Sequence, residues 1–225
     1  LGYEDAIQMA KDHPEQVKTA LKVKKIGNDI VALLGGREVH PINVCVGGFY
    51  KVPSKDRLEN LRHDLKQGNQ LTRQLLEWVS GLDFPEFELD YEFVSLRHPR
   101  EYPLNEGMIV SNKGLGISAN QFEEYFVEEQ VPHSNALQTY IRGRGSYMVG
   151  PLARINLNRD LLTDEVREIL QQIGFPEPCK NPFMSIIARV AETLYAFEES
   201  LRIIDEYVEP ERPRVEFEVR AGRGY

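Results

Sequence analysis

The sequence predicts an α+β fold, a helical-bundle scaffold with long buried helices and a small inserted β-sheet, and three features of the text carry that expectation. Near the carboxyl end Ile186, Ile187, Val190, Leu194, Phe197, Leu201 and Ile204 recur at steps of three and four, one apolar stripe along a helix. Leu58, Leu61 and Leu65 draw a second such stripe. Between the two, aromatic and β-branched runs, FELDYEFVSL and MIVS, are broken by His98-Pro99 and Tyr102-Pro103, the pattern of short strands in a small sheet.

In chain order, residues 4 to 34 read as helix interrupted near His13-Pro14, with Ala6, Ile7 and Ala10 and then Val17, Leu21 and Val23 at helical spacing, ended by Gly35-Gly36. Arg37 to Val52 turns glycine-punctuated and β-branched, REVHPINVCVGGFYKV, and reads as an extended connection packed against something else. Ser54 can cap the next helix, with Asp56 in its first turn where negative charge suits the dipole, and Gly81 stops it after Ser80. Ser118-Ala119-Asn120-Gln121 has the form of a capping box opening a short helix to about Glu128. Ser146 to Val149 reads as a strand, and Thr163 followed by Asp164 and Glu165 starts a helix that ends before Gly174. Asn181-Pro182 opens the long striped helix, which runs to Tyr207 with proline where its missing N–H costs nothing. Pro210-Glu211-Arg212-Pro213 then leads to an alternating strand, Val215, Phe217, Val219, and a glycine loop at 222–225.

The balance of 27 Lys plus Arg against 35 Asp plus Glu, a net charge of -8, speaks against nucleic acid as a partner. No run approaches the roughly 20 apolar residues needed to span a bilayer, so no membrane association is expected. Cys45 and Cys179 are too far apart to suggest a disulfide framework or a CxxC metal motif, which fits a reducing, cytoplasmic compartment. Cys45, set among valines, reads as a packed apolar residue, and so does Cys179 despite the neighbouring Lys180. Neither glycine loop has a phosphate-binding spacing. The adjacent glutamates at 123–124, 128–129 and 198–199 diverge around a helix axis and read as solvated faces rather than an acid and base pair. Of the five histidines, His13, His40, His63, His98 and His133, none pairs with another at a ligand spacing, and four read as surface or turn residues. His40 stands apart, because Gly35-Gly36 and Gly47-Gly48 flank it and glycine allows a backbone or a bulky group to approach. From the residues alone a structural and a functional role for it are both open.

Several stretches, in order, carry a resemblance to a known family. They are LGYEDAIQMAKDHPE, GNDIVALLGGREVHPINVCVGGFYKVP, GLDFPEFELDYEFVSLRHPREYPLNEG, SYMVGPLARINLN, and NPFMSIIARVAETLYAFEESL with RAGRGY. Together they resemble the large, or alpha, subunit of soluble [NiFe] hydrogenases, those coupled to NAD(P) or a deazaflavin and the related sulfhydrogenases. The resemblance covers nearly the whole chain and implies that residues 1–225 are a central piece of one large-subunit domain, with 84–157 a small-sheet insertion. The chain opening at Leu1 and stopping in a glycine loop fits such a piece.

The resemblance implies reversible oxidation of H2 at a Ni-Fe centre in the parent protein. That centre is held by two CxxC pairs, and this chain has none, so no metal and no hydrogen activation are expected of it alone. The family's Gly-Arg-x-x-His-Pro segment matches Gly36-Arg37-Glu38-Val39-His40-Pro41, which makes His40 and Arg37 candidates for positions beside the metal site or near an iron-sulfur cluster. Implied partners are the iron-sulfur small subunit of the hydrogenase and a diaphorase-type electron-transfer subunit. A piece with apolar surface laid bare is also expected to self-associate. Two other readings remain: a non-catalytic relative of respiratory-complex type, and a structural or interaction domain.

Overall fold

The structure, a computed structural model, describes residues 2–222, so the glycine loop expected at 222–225 lies, from Arg223 on, outside the described residues. The helices are α1 (Ala6–Asp12), α2 (Pro14–Gly35), α3 (Lys55–Ser80), α4 (Phe122–Tyr125), α5 (Pro151–Asn158), α6 (Asp164–Gln172) and α7 (Ser185–Glu206). The strands are β1 (Val44–Cys45), β2 (Gly48–Phe49), β3 (Val94–Arg97), β4 (Met108–Ser111), β5 (Gly116–Ile117), β6 (Phe126–Gln130) and β7 (Leu137–Ile141). This is the α+β arrangement that the sequence predicts, long helices with short strands between them. The chain divides into two units, one comprising the residues up to Leu82 with Val190–Gly222, the other Asp83–Arg189.

In the first unit the Asp5 carboxylate caps α1 by accepting from the Gln8 N–H at 2.7 Å. The predicted interruption falls at His13, and Pro14 opens α2. The His13 ring is held 5.4 Å from Trp78 and 5.8 Å from Tyr3. Ser54 sits at the N-terminus of α3 as expected, but its hydroxyl makes no capping bond; its carbonyl accepts from the Leu58 N–H at 3.2 Å. The core of this unit gathers Ile26 of α2, Leu58 and Leu65 of α3, and Phe197 and Ile204 of α7, with Val23, Ile30, Leu33, Leu61 and Leu201 packed around them. The stripe on α7 is thus a packing surface, with one adjustment: Ile187 is buried while Ile186 is 48% exposed, so the apolar face begins one residue later than the sequence pattern placed it.

In the second unit β3, β4 and β5 form an antiparallel sheet in that order, and β6 pairs with β7 from Phe126↔Ile141 to Gln130↔Leu137. Val94, Leu115, Ile117, Phe126 and Ile141 form the core, with Phe122 stacked on Phe126 at 4.6 Å. The Asn158 side chain, fully buried at the end of α5, donates to Ser95 Oγ and to the carbonyls of Leu96 and Arg154, each at 3.1 Å, and so ties the helix to β3. Buried Glu92 accepts from Ser111 Oγ at 2.7 Å and from the Arg144 guanidinium at 2.8 Å.

Several expectations need correction here. The helix from Ser118 ends at Tyr125 instead of Glu128, because the chain from Phe126 onward finds hydrogen-bond partners in β7. Glu128 and Glu129 therefore lie on a strand and face opposite ways. Ser146–Val149 is no strand and contributes a single parallel bridge, Phe93↔Met148. Residues 84–92, the first half of the aromatic run, join no ladder. The strand expected at Val215–Val219 reduces to the bridge Gly48↔Arg214 and a Val215 N–H to Gly47 O bond of 3.0 Å, leaving Val219 exposed to solvent. The Thr163 cap, accepting from the Val166 N–H, and the Asn181 cap, accepting from Phe183 N–H at 3.0 Å, stand as predicted, although Pro182–Met184 makes a 3₁₀ turn before α7.

Candidate functional site

The loop between α2 and α3 is where the histidine singled out by the sequence lies, and its form follows from its glycines and one asparagine. Helix α2 ends because Gly36 takes the left-handed conformation, φ 85°, with its N–H bonded to Ala32 O at 3.0 Å. The Gly35 carbonyl then accepts from both Ile42 N–H at 2.8 Å and Asn43 N–H at 3.0 Å, which closes residues 36–41 into a loop. The closure is tight: a Cβ on Gly35 would stand 2.7 Å from Cβ of Pro41.

Within the loop the Arg37 Nε donates to the His40 carbonyl at 2.6 Å, and the Asn28 amide donates to Glu38 at 3.0 Å. His40 has a φ of 50°, the left-handed region, a conformation that costs a residue bearing a Cβ roughly 1–2 kcal/mol. Such strain persists only where surrounding contacts hold it, and here Arg37 and the Gly35 carbonyl do so. The expected extended connection that follows is a two-residue hairpin, β1 with β2, docked on the tail of the same unit: Phe49 N–H donates to Pro213 O at 2.9 Å, and the Arg214 guanidinium lies 5.9 Å above the Tyr50 ring.

Arg37 and His40 are therefore brought together in one closed turn, with both side chains exposed. Around them Val39, Ile42, Val44, Val46 and Tyr50 are each 60% or more exposed, a concentration of large apolar side chains at one loop and hairpin. His63 and His133 are exposed, His13 packs on Trp78, and His98 Nδ1 accepts from the Arg100 and Glu101 N–H groups at 3.3 and 3.2 Å.

Cys45 is half-buried in β1, and Cys179 is fully buried in the other unit, its N–H and carbonyl both bonded to the Asn156 amide at 2.8 Å. Burial pushes the Cys179 thiol above its ordinary pKa, as suits a packed residue and not a nucleophile. Among the described residues no group of three or more His, Cys, Asp or Glu side chains is placed to hold a metal ion. No helix among the described residues is long and apolar enough to cross a membrane.

Long helices carrying short inserted strands match a known architecture. The chain superposes on an NAD+-reducing [NiFe]-hydrogenase in its H2-reduced state with a TM-score of 0.75 at 19% identity, over 88% of this chain and 49% of that one. A Ni-Fe-Se hydrogenase from D. vulgaris Hildenborough gives 0.63 at 19% identity, over 92% and 52% of the two chains. The fold is that of the [NiFe] hydrogenase large subunit.

Its homologues by sequence are hydrogenase large, or alpha, subunits. The chain is 28% identical to the alpha subunit of sulfhydrogenase 1 from Pyrococcus furiosus over 99% of its own length and 53% of that protein's. It is also 28% identical to the alpha subunit of sulfhydrogenase 2 from the same organism, over 99% and 52%. The chain thus spans about half the length of the curated relatives it matches, and no protein-family model matches it.

Proposed function

We propose that this chain is part of the large subunit of a nickel-iron hydrogenase that oxidises H2 reversibly to protons and electrons. The observation that supports this most is the sequence match running along 99% of the chain to the alpha subunit of a sulfhydrogenase. The bound Ni-Fe centre would supply the H2-splitting chemistry. Its thiolates would come from residues other than these 225, since Cys45 and Cys179 are single and lie in different units. What these residues supply is scaffold, with residues 84–157 as a small-sheet insertion in one large-subunit domain.

His40 and Arg37 are proposed to stand near an iron-sulfur cluster of a small subunit, where an imidazole can donate a hydrogen bond and the guanidinium can hold a carboxylate. The exposed apolar side chains around them, Val39 to Tyr50, suit contact with that small subunit. A diaphorase-type subunit would then take the electrons, in the cytoplasm. In isolation this chain is expected to lack nickel, to lack hydrogenase activity, and to self-associate through the same surface. The absence of a metal donor set among the described residues also fits a non-catalytic relative of respiratory-complex type.

The test is to purify the full-length protein with its partners and measure nickel content and H2-dependent reduction of a viologen dye, beside residues 1–225 alone. Nickel and dye reduction in the whole protein, absent from the shorter chain, are the expected result. A whole protein with neither overturns the hydrogenase reading in favour of the non-catalytic one, and stoichiometric nickel in the shorter chain overturns its scaffold role.

A further inference from the structure

The loop that carries His40 is held from one side by a residue that the functional reading does not use. Asn43 lies at the base of the loop, half-buried, between the end of α2 and the segment leading to α3. Its side-chain amide donates to Leu34 O at 2.7 Å and to Lys51 O at 2.7 Å, while its Oδ1 accepts from Lys51 N–H at 3.0 Å. Both amide protons are thereby used, and the oxygen is satisfied as well. Its main chain adds two more bonds, N–H to Gly35 O at 3.0 Å and carbonyl from Tyr50 N–H at 2.9 Å.

One residue thus ties together the last turn of α2, the closing point of the Gly35–Asn43 loop and the strand returning from the hairpin. His40 and Arg37 have few restraints of their own beyond the bond between them, being exposed and on a six-residue excursion. The place of the imidazole therefore depends on where the base of the loop is held, and that is where Asn43 acts.

We propose that Asn43 is a positioning residue, which fixes the Arg37–His40 turn relative to α2 and so sets where the imidazole is presented. The role in electron exchange rests on the reading of His40 given above; the clamp itself does not. An aspartate would keep the acceptor for Lys51 N–H but lose both donors and set a negative charge against two carbonyls. A leucine would keep the bulk and lose every side-chain bond. A glutamine would keep the amide on a longer stem.

The experiment uses the full-length protein assembled with its partner subunits and compares Asn43→Asp, Asn43→Leu and Asn43→Gln, alone and with His40→Ala. Hydrogen exchange of peptides covering residues 35–51, H2-dependent dye reduction across pH, and nickel content are read on each. Asn43→Leu and Asn43→Asp should exchange faster at this loop and lose roughly 10- to 100-fold in dye reduction with nickel retained, the usual cost of losing a positioning partner. Glutamine should restore part of both, and in the His40→Ala background the Asn43 changes should add little further loss.

Wild-type exchange of the loop in both Asn43→Leu and Asn43→Asp overturns the clamp. Losses that multiply with those of His40→Ala show that Asn43 acts apart from the histidine and overturn its positioning role. Wild-type dye reduction in His40→Ala would instead sink the role assigned to His40, and the exchange measurement would still decide the clamp by itself.

Discussion

Replacing Gly68 by alanine tests a close contact between two helices in the first unit. Gly68 is buried in the middle of α3, and a Cβ built on it would lie 2.5 and 2.6 Å from two ring atoms of Phe197 on α7. That is roughly 1 Å inside the optimum for carbon atoms in contact, about 3.5–4.0 Å. The ring has little room to retreat, since Phe197 is 4% exposed and packed among Ile26, Leu58, Leu65 and Ile204. Helix propensity favours alanine over glycine by about 1 kcal/mol, whereas an extra methyl in a filled core costs about 1–3 kcal/mol. Steric overlap should win, with a net loss of up to about 2 kcal/mol, or up to about 8 °C in melting temperature for a chain of this size. Thermal and urea unfolding of the wild type, Gly68→Ala, Phe197→Leu and the double variant form a cycle. The smaller leucine should cost less stability in the alanine background than in the wild type. A Gly68→Ala protein that melts at or above the wild-type temperature, or a Phe197→Leu cost that is equal in both backgrounds, refutes the packing argument.

Two further outcomes follow from charge and burial. The Arg97 guanidinium, bonded to Asp160 through two contacts of 2.7 Å, holds that carboxyl below its ordinary pKa. The stabilisation is therefore present above the unfolded-state value of about 3.9 and is lost as pH falls through the lower folded value. Asp160→Asn should be less stable than wild type near neutrality by under about 1 kcal/mol, because the Asp160 side chain is largely exposed, and should converge on wild type at the acid end. Urea unfolding as a function of pH reads this, and a difference that grows on acidification would contradict it. Cys179, fully buried with its thiol pKa raised by desolvation, should resist iodoacetamide until the protein unfolds, while half-buried Cys45 reacts first in the native protein. Mass spectrometry of tryptic peptides along a urea series gives the order, and early labelling of Cys179 would count against its packing role.

The elements legible in the sequence are those whose signal is local. The break at His13-Pro14 follows from proline chemistry, the end of α2 at Gly36 from its left-handed φ, and the caps at Thr163 and Asn181 from side chains that bond their own neighbours. The stripe on α7 is legible because its period is a property of one helix. Where the chain needs a partner distant in sequence, the local pattern misleads. Phe126–Gln130 looks like the continuation of a helix until β7 supplies hydrogen bonds to it, and Val215–Val219 looks like a strand although no neighbour pairs with it beyond Arg214 and Val215. Pro151–Asn158, a helix that the sequence pattern does not announce, is fixed by contacts such as those of buried Asn158 with β3.

The same division runs through the candidate site. By itself the sequence determined that a histidine lies between two glycine pairs, that it matches a Gly-Arg-x-x-His-Pro segment, and that no CxxC pair is present. Only the tertiary structure decided that Arg37 bonds the His40 carbonyl, that the hairpin leans on residues 213–215, and that Asn43 closes the base of the loop. The physical reason is the range of the interactions. A turn, a cap or a helical stripe is specified by residues a few positions apart, whereas an amide at position 43 becomes a clamp only once folding has carried the carbonyls of Leu34 and Lys51 within 2.7 Å of it.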